Sequence, residues 1–332
     1  MHNTNLKPLV TILCITYNQE AYIRDALDGF VMQKTNFPFI ALVHDDASTD
    51  NTPNIIREYA EKYPDIIKPI FETENQYSKN DGALWRIVNN ATIESGCKYV
   101  ALCEGDDFWT SPDKLQIQVD FLENNSEYSM CFHDVDIKAE KGRDWYDVFG
   151  KLEDRDYDAF EDIYHWCVPT CSIMSRSTAF QALPQNDKFR MRDNVVVLTC
   201  GRCGKLRCIP EKYGVYRLTP TSWIGGQSNL IQRYKYISHY YGLIEEFKSC
   251  RNDIMYGLLK NQYFQLLSIL KRDGENIEFE RIKNEYLAYF GQFDLISFTK
   301  FYYTDNARIL LKKILGKHIS SFISKIKGYV NS

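Results

Sequence analysis

Acidic and polar side chains cluster directly after several predicted β-strands of this 332-residue chain. The clusters are Thr16, Tyr17 and Asn18, then Asp45 and Asp46, and then Glu104, Asp106 and Asp107. In open α/β sheets, ligands bind at the carboxyl ends of the strands, where neighbouring loops diverge. Three clusters at one edge of a sheet therefore predict one ligand site.

The acidic stretch EGDD at 104–107 indicates the chemistry of this site. Closely spaced carboxylates are stable together when a hard divalent cation neutralises them, and Mg²⁺ or Mn²⁺ is commonly held by one or two carboxylates plus substrate phosphates. The stretch therefore favours a metal that grips a diphosphate. The alternative is that the acids only cap the next helix, and the two further polar strand ends weigh against it.

Two absent motifs narrow the class of ligand. The first predicted strand runs into TYNQEAY at 16–22, which lacks the GxGxxG turn that brings backbone against a dinucleotide pyrophosphate. The sequence also has no GxxxxGK[ST] segment. Both absences weigh against a conventional dinucleotide-binding fold and against a P-loop.

Hydrophobic periodicity predicts the elements that position these clusters. Short β-rich runs alternate with helical periods, which is typical of a parallel sheet with crossover helices. The strands predicted in this way are Leu9–Ile15, Phe39–Asp46, Ile66–Thr73, Tyr99–Glu104, Cys171–Ser175 and Leu206–Arg217, with a helix near Asp193–Cys203. The pattern predicts an α/β arrangement over the first ~140 residues. It is irregular from about Asp144 to Thr219, and from Ser228 onward it predicts a helical C-terminal region.

Several segments resemble, in order, those of the family 2 glycosyltransferases of the GT-A fold. They are TYN at 16–18, HDDASTDNT at 44–52, GCKYVALCEGDDFW at 96–109, KLQIQV at 114–119, Asp193, GK at 204–205 and VYR at 215–217. The resemblance implies an α/β domain of the GT-A fold over residues 1–227, Rossmann-like with a mostly parallel sheet flanked by helices, followed by the helical C-terminal region over 228–332. It also implies the transfer of a sugar from a nucleotide donor to an acceptor.

The resemblance also implies which residues bind the nucleotide. Thr16, Tyr17 and Asn18 would line the nucleotide pocket, and Asp46 would bond the uracil or its ribose. Tyr17 has a plainer alternative as a core residue, and Asp46 has one as a structural residue of its loop.

The remaining implied roles concern the metal and the chemistry. Asp106 would be the ligand of Mn²⁺ or Mg²⁺ in a DxD-type motif, with Glu104 at the first acidic position and Asp107 nearby. Asp193 would be the base that activates the acceptor, or alternatively an N-cap of its helix. Arg217 would help to place the donor phosphates, or alternatively pair with a structural carboxylate.

The sequence departs from the family pattern at two positions. Thr219 stands where family members often carry a His that completes the metal site, which implies weaker metal binding or fewer protein ligands. Ala47 stands where the family has Gly, which disfavours a turn that needs a positive φ.

Composition and charge exclude some partners and predict a compartment. Forty basic and 44 acidic residues give a net charge of −4, which argues against nucleic acid as a partner. No apolar run approaches the length of a membrane span, and no secretory signal is present, so we expect a cytoplasmic protein. Disulfide frameworks belong mainly to small exported domains, so we expect the ten cysteines of this long chain to be reduced thiols.

Two weaker signals leave alternatives open. Cys167, Cys171, Cys200, Cys203 and Cys208 permit a structural zinc site, although close cysteine pairs also arise by chance. The segment 308–332 carries six Lys or Arg and no acid, with an apolar stripe at helical spacing. This tail would either pack on the preceding helices or lie peripherally on the inner face of an anionic membrane.

The sequence therefore predicts a metal-dependent, inverting glycosyltransferase that uses a nucleotide-sugar donor, expected to be a uridine diphosphate sugar, and a glycan or lipid-linked glycan acceptor. A sugar nucleotidyltransferase is the alternative enzyme, and the missing Gly-rich triphosphate loop argues against it. A non-catalytic scaffold with the same fold is the third alternative.

Overall fold

A mixed β-sheet forms the centre of the N-terminal part of the chain. The computed structural model describes residues 7–79, 81–142, 145–162, 167–185, 188–220, 230–250 and 253–315, with side chains up to 307. The strands are β1 (Val10–Thr16), β2 (Phe39–Asp45), β3 (Ile67–Phe71), β4 (Tyr99–Leu102), β5 (Phe108–Trp109), β6 (Tyr128–Ala139), β7 (Asp156–Tyr157), β8 (Met174–Arg176) and β9 (Lys205–Leu218). Their order is β3-β2-β1-β4-β8-β6-β9-β5, with β7 paired to β9.

The first half of the sheet is parallel, as predicted. Strands β3, β2, β1 and β4 pair in parallel, so their carboxyl ends meet at one edge. Beyond β4 the pairing changes, because β8 runs antiparallel to both β4 and β6, and β9 pairs antiparallel with β5 and β7. The sheet is therefore mixed rather than mostly parallel.

Helices flank the sheet and continue into the C-terminal region. They are α1 (Ile23–Val31), α2 (Thr52–Lys62), α3 (Ala83–Glu94), α4 (Lys114–Asn124), α5 (Ala159–Asp162), α6 (Ser177–Gln181), α7 (Arg192–Cys203), α8 (Leu230–Glu246), α9 (Asp253–Asp273), α10 (Asn276–Phe290) and α11 (Leu295–Leu315). Helix α1 buries Ile23, Ala26, Leu27 and Phe30, the stripe that helical spacing predicts. Pro53 occupies the first turn of α2, where its missing N–H costs nothing.

The described residues fall into two compact units. One lies within Met1–Gly226 together with Glu245–Ile254, and the other within Gln227–Ile244 and Met255–Ser332. The first unit contains the sheet and the second is helical. The assignment of catalysis to residues 1–227, and of a separate helical region with a basic amphipathic tail to 228–332, stays a prediction.

Several other sequence predictions concern the surface and the thiols. All ten cysteines are free, and the five proposed as zinc ligands include buried Cys171, Cys200 and Cys208. Within the described ranges, no helix has the length and apolar character needed to cross a membrane. The side chains of the basic tail from 308 onward lie outside the described residues, so its two alternatives stay predictions.

Candidate active site

The loops that follow β1 and β2 are joined by hydrogen bonds between the two polar motifs. The N–H of Asn18 donates to Ser48 Oγ at 2.8 Å, and Asn18 Oδ1 accepts the N–H of Thr49 at 2.7 Å. Asn18 and Ala47 both have positive φ, at 51° and 61°. The turn after β2 thus needs the conformation that favours glycine, and Ala47 adopts it at a cost.

The acidic stretch after β4 packs directly against the end of β1. Gly105 donates its N–H to the carbonyl of Ile15 at 3.1 Å, and a Cβ at Gly105 would lie 2.8 Å from Thr16 Oγ1 and 2.5 Å from Gln19 Oε1. Thr16 Oγ1 donates to Gln19 Oε1 at 2.7 Å, and the Gln19 side chain also bonds Asp106. The buried Thr16 therefore directs its hydroxyl to Gln19, which in turn bonds Asp106 of the acidic stretch.

Asp46 is buried and organises the segment that follows β3. Its Oδ1 accepts the N–H of Gln76 at 2.7 Å and its Oδ2 accepts the N–H of Tyr77 at 3.0 Å. Its own N–H donates to the carbonyl of Thr16 at 3.0 Å, which ties it to β1. Asp46 is as buried as Asp107, and both of its carboxylate oxygens are engaged, so the structure favours its alternative as a structural residue of the loop. The predicted bond to uracil or ribose stays a prediction.

Tyr17 lies on the surface at the same edge of the sheet. Its side chain is 46% exposed, which excludes the core alternative. Tyr77, the residue whose N–H binds Asp46, is also about half exposed. Two accessible aromatic rings thus lie on segments that Asp46 holds, an arrangement suited to a planar base.

Asp107 and Arg217 are structural parts of the site. Asp107 is buried, and its Oδ1 accepts the N–H of Arg217 at 2.8 Å. The Arg217 side chain is 1% exposed, pairs with Asp25 and Glu140, and stacks 4.4 Å from the ring centre of Phe108. The structure therefore supports the alternative of a structural ion pair for Arg217, and neither side chain is accessible to donor phosphates.

The structure brings Asp193 towards the acidic stretch. Although Glu104 reaches solvent, desolvation by the surrounding protein and then the charges of Asp106 and Asp193 raise its pKa to about 8. Burial also raises the pKa of Asp106, while the charge of Arg217 and the bond from Gln19 oppose the shift. The charges of Asp106 and Asp193, the predicted metal ligand and the predicted base, thus both act on Glu104.

Asp193 lies in the first turn of α7, one residue after the start of the helix. Its Oδ1 accepts the N–H of Asn194 at 2.9 Å, and the N-cap position is Met191. Burial raises the pKa of Asp193 to about 6 despite that hydrogen bond. A carboxyl with this pKa is ionised near neutral pH and basic enough to accept a proton in a transition state.

The accessible carboxylates fit a divalent cation that is shared with phosphates. Among the described side chains, no group of three or more His, Cys, Asp or Glu forms a complete metal site. Glu104 and Asp106 could supply two carboxylate ligands, and Mg²⁺ or Mn²⁺ is commonly held by one or two carboxylates together with substrate phosphates. Thr219, at the position where a His was expected, is buried directly after β9.

Sequence reasoning missed several residues that hold the site together. Gln19 links Thr16 to Asp106, and Asp25 and Glu140 hold Arg217. Gln19 directly follows the TYN motif, and this position beside a predicted binding loop is the sequence feature that could have identified it. Asp25 lies beside the apolar stripe of α1, and only the fold shows that it meets β9.

The sequence model of one protein family matches half of the chain. Residues 11–180 match the sequence model described as Glycosyl transferase family 2. An uncharacterised protein of Mycobacterium tuberculosis is 46% identical over 133 residues, covering 40% of this chain and 37% of the relative. The dTDP-rhamnosyl transferase RfbG of Shigella flexneri is 32% identical over 111 residues, covering 33% of this chain and 37% of RfbG. The chain thus spans less than half the length of these relatives.

Solved structures show the same fold at low sequence identity. TarS of S. aureus, residues 1–349 in complex with UDP, has a TM-score of 0.51 at 16% identity, covering 79% of this chain and 71% of TarS. The mannosyltransferase PcManGT of Pyrobaculum calidifontis, in complex with GDP-Man and Mn²⁺, has a TM-score of 0.51 at 15% identity, covering 93% of this chain and 83% of PcManGT. These similarities confirm the predicted architecture.

Proposed function

Because the chain belongs to glycosyl transferase family 2, we propose that it is an inverting glycosyltransferase that moves a sugar from a uridine diphosphate donor to a hydroxyl of a glycan or lipid-linked glycan. The observation that supports the proposal is that the charge of Asp193 contributes to the raised pKa of Glu104, while burial raises the pKa of Asp193 itself to about 6. TarS binds UDP in its solved complex, which supports uridine as the base.

The reaction would proceed by a single displacement. Asp193 would accept the proton of the acceptor hydroxyl while its oxygen attacks the anomeric carbon on the face opposite the diphosphate. The bond from the anomeric carbon to the phosphate oxygen breaks, and its electron pair leaves with the nucleoside diphosphate. One attack of this kind inverts the anomeric configuration.

Charge on the leaving diphosphate needs a counter-charge. Mn²⁺ or Mg²⁺, when bound, would stabilise this negative charge, as a Lewis acid does in phosphate chemistry. Asp106 and Glu104 would hold the cation, and Gln19 would orient Asp106. PcManGT was solved with Mn²⁺, which supports the choice of cation.

The exposed ring of Tyr17 and the loop that Asp46 holds would receive the nucleoside. The bonds from Asp46 to the segment after β3 order one wall of this pocket. Asp46→Ala would therefore weaken nucleoside binding with or without metal, while Asp106→Ala would weaken only the metal-dependent part.

A thermal-shift panel tests the proposal. UDP, GDP and dTDP are each added with Mn²⁺ or with a chelator, because a ligand that binds only the folded protein stabilises it by about 2.7 kcal/mol at 100 times its Kd. We expect UDP with Mn²⁺ to give the largest shift in wild type and no metal-dependent shift in Asp106→Ala. No shift with any nucleotide would refute the donor assignment.

The position of the basic tail needs its own experiment. We propose that the protein works in the cytoplasm on polysaccharide precursors, with the tail 308–332 either packed on the preceding helices or in peripheral contact with the membrane. If the tail contacts the membrane, its deletion should release the protein from anionic vesicles at low salt and leave hydrolysis of a soluble donor unchanged. A lower melting temperature with unchanged vesicle binding would instead assign the tail to packing.

A further inference from the structure

Trp145 is an exposed aromatic residue on the segment that follows β6. It is 62% exposed, whereas tryptophan is highly buried on average. Its Nε1–H donates to the carbonyl of Ile137 at 3.1 Å, which fixes one edge of the indole on β6. The polar group of the side chain is therefore bound within the protein, while much of the apolar ring surface is accessible to a ligand.

The anchor of Trp145 lies one strand away from the residue that holds the acidic stretch. Ile137 pairs with Tyr216 in the parallel register of β6 and β9, and adjacent strands lie about 4.8 Å apart. Arg217, the next residue on β9, donates to the main-chain oxygen of Asp106. The hydrogen bond of Trp145 therefore attaches its indole to the part of the sheet that supports the candidate metal site.

A second contact holds the segment of Trp145 at this place. Phe149, on the same segment, is buried and packs its ring edge to face against Tyr216, with 5.0 Å between the ring centres. Burial, and then the charges of the acidic stretch, raise the pKa of the Tyr216 phenol. The ring against which Phe149 packs is thus within electrostatic reach of the acidic stretch, in agreement with the hydrogen bond of Trp145.

The order of the sheet separates Trp145 from the proposed nucleoside pocket. Tyr17 follows β1 and the segment that Asp46 holds follows β3, whereas Trp145 is anchored on β6. The acidic stretch follows β4, which lies between these strands in the sheet. Because β1 and β6 are three strand spacings apart, or about 14 Å, a ring on β6 serves a different part of the substrate from the base.

The direction of the proposed displacement indicates which part this is. The acceptor hydroxyl would attack from the side opposite to the diphosphate. With the nucleoside on the β1 side of the acidic stretch, the acceptor would approach from the β6 side, where Trp145 lies. A pyranose ring carries several C–H groups on one face, and their partial positive charge suits the negative face of an indole.

We propose that the indole of Trp145 binds the first pyranose ring of the acceptor by stacking on its C–H face. The inference rests on the proposed glycosyl transfer. Nucleoside, diphosphate and acceptor would then follow one another along the sheet edge, in the order of β1, β4 and β6.

Two variants test the indole, and a distant aromatic residue is their control. Trp145→Ala removes the ring, and Trp145→Phe keeps an aromatic face without the N–H that binds Ile137. Tyr303→Ala removes a ring that is 68% exposed on α11. Because Trp145 is largely exposed, we expect the melting temperature of both Trp145 variants to stay close to that of wild type.

Saturation-transfer NMR measures the binding of methyl β-glucoside, methyl β-galactoside, methyl α-mannoside and the 2-acetamido analogue of the glucoside, with and without UDP and Mn²⁺. We expect wild type to bind at least one of them, with the strongest saturation on the C–H groups of one ring face. Trp145→Ala should weaken this binding about tenfold and Trp145→Phe about two- to threefold. Tyr303→Ala should bind as wild type does, and calorimetry should show the same UDP affinity in all variants.

The outcomes separate this proposal from the proposed donor. If no glycoside binds wild type, or if Trp145→Ala binds as wild type does, the role of Trp145 is overturned. Equal losses in Trp145→Phe and Trp145→Ala overturn it as well, because the N–H bond rather than the ring face would then matter. So does a variant Trp145→Ala that binds UDP-glucose more weakly but UDP normally, since the ring would then serve the donor sugar. If UDP fails to bind wild type, the proposed donor fails, and the measurements without UDP still decide the role of Trp145.

Discussion

Arg217 Nη1 donates to the main-chain oxygen of Asp106 at 2.9 Å. A buried cation at the end of β9 thereby fixes the backbone of the acidic stretch, 111 positions earlier in the chain. The same guanidinium pairs with Asp25 and Glu140, so α1, β9 and the end of β6 meet around one side chain. The accessible carboxylates therefore depend on a residue that no ligand reaches.

Replacement of Arg217 should affect stability before it affects ligand binding. Arg217→Met removes a buried ion pair and leaves the Asp106 carbonyl without its donor, so we expect a loss of about 2–4 kcal/mol in the free energy of unfolding. Urea unfolding of the variant measures this loss. Unchanged stability with weaker UDP binding would contradict the structural role and return Arg217 to the phosphate site.

Substitution of Ala47 should stabilise the protein. Ala47 has a φ of 61°, which strains an L-residue with a side chain, so Ala47→Gly should raise the free energy of unfolding by about 0.5–1 kcal/mol after the entropy cost of glycine. Ala91→Gly, inside α3, is the matched control and should lower it by about 1 kcal/mol. Equal losses in both variants would show that the turn tolerates alanine without strain.

The sequence predicts the parallel half of the sheet well because its signals are local. The runs at 9–15 and 39–46 are buried on both faces, so each reads as a continuous apolar strand between polar loops. The strand β6, Tyr128–Ala139, was missed, since His133, Asp134 and Asp136 break its pattern. Its pairing with β9, with register shifts, is a tertiary feature that periodicity cannot show.

The sequence likewise predicts only part of the candidate site. The motif positions predict which residues reach the sheet edge, and Tyr17, Glu104 and Asp106 are accessible there. Side-chain direction is not encoded locally, however. Asp107 lies next to Asp106 in sequence yet turns inward to β9, and Arg217 turns to Asp25 rather than to a phosphate.

Metal-dependent nucleotide binding should strengthen with rising pH. The pKa of Glu104 is raised to about 8, so the free protein holds a proton there at pH 7 that a cation must displace. Affinity for UDP with Mn²⁺ should therefore rise between pH 6.5 and 8 and level off above it. Calorimetry in two buffers of different ionisation enthalpy counts the proton released on binding.

Glu104→Gln is the control for this pH dependence. The variant cannot release a proton at position 104, so its affinity should be lower and nearly constant over the same pH range. Asp193→Asn removes one of the charges that raise the pKa of Glu104, so its affinity should rise at a lower pH than in wild type. A wild-type affinity that does not change with pH would exclude Glu104 from the metal site.

Asp193→Asn separates a base from a residue that only accepts a hydrogen bond in the first turn of α7. Asparagine accepts the N–H of Asn194 as aspartate does, but it cannot take a proton, so transfer to the acceptor should fall about 100- to 10,000-fold with UDP affinity nearly unchanged. In wild type, transfer should also decline below pH 6, as Asp193 becomes protonated. A pH–rate profile and UDP calorimetry measure both effects.

The two possible roles of Asp193 predict opposite changes in the free energy of unfolding when asparagine replaces it. Its pKa of about 6 in the folded protein exceeds the ordinary 3.8, so between these pH values the folded state holds a proton that the unfolded chain releases, and stability falls as pH rises. Neutral asparagine avoids this cost, and the variant should gain roughly 1–2 kcal/mol at pH 7. A structural role in the first turn of α7 that needed the carboxylate would instead lower the stability of the variant. Near-normal transfer by Asp193→Asn would refute the base assignment, and Asp187, which lies outside the described residues, would be the next position to substitute.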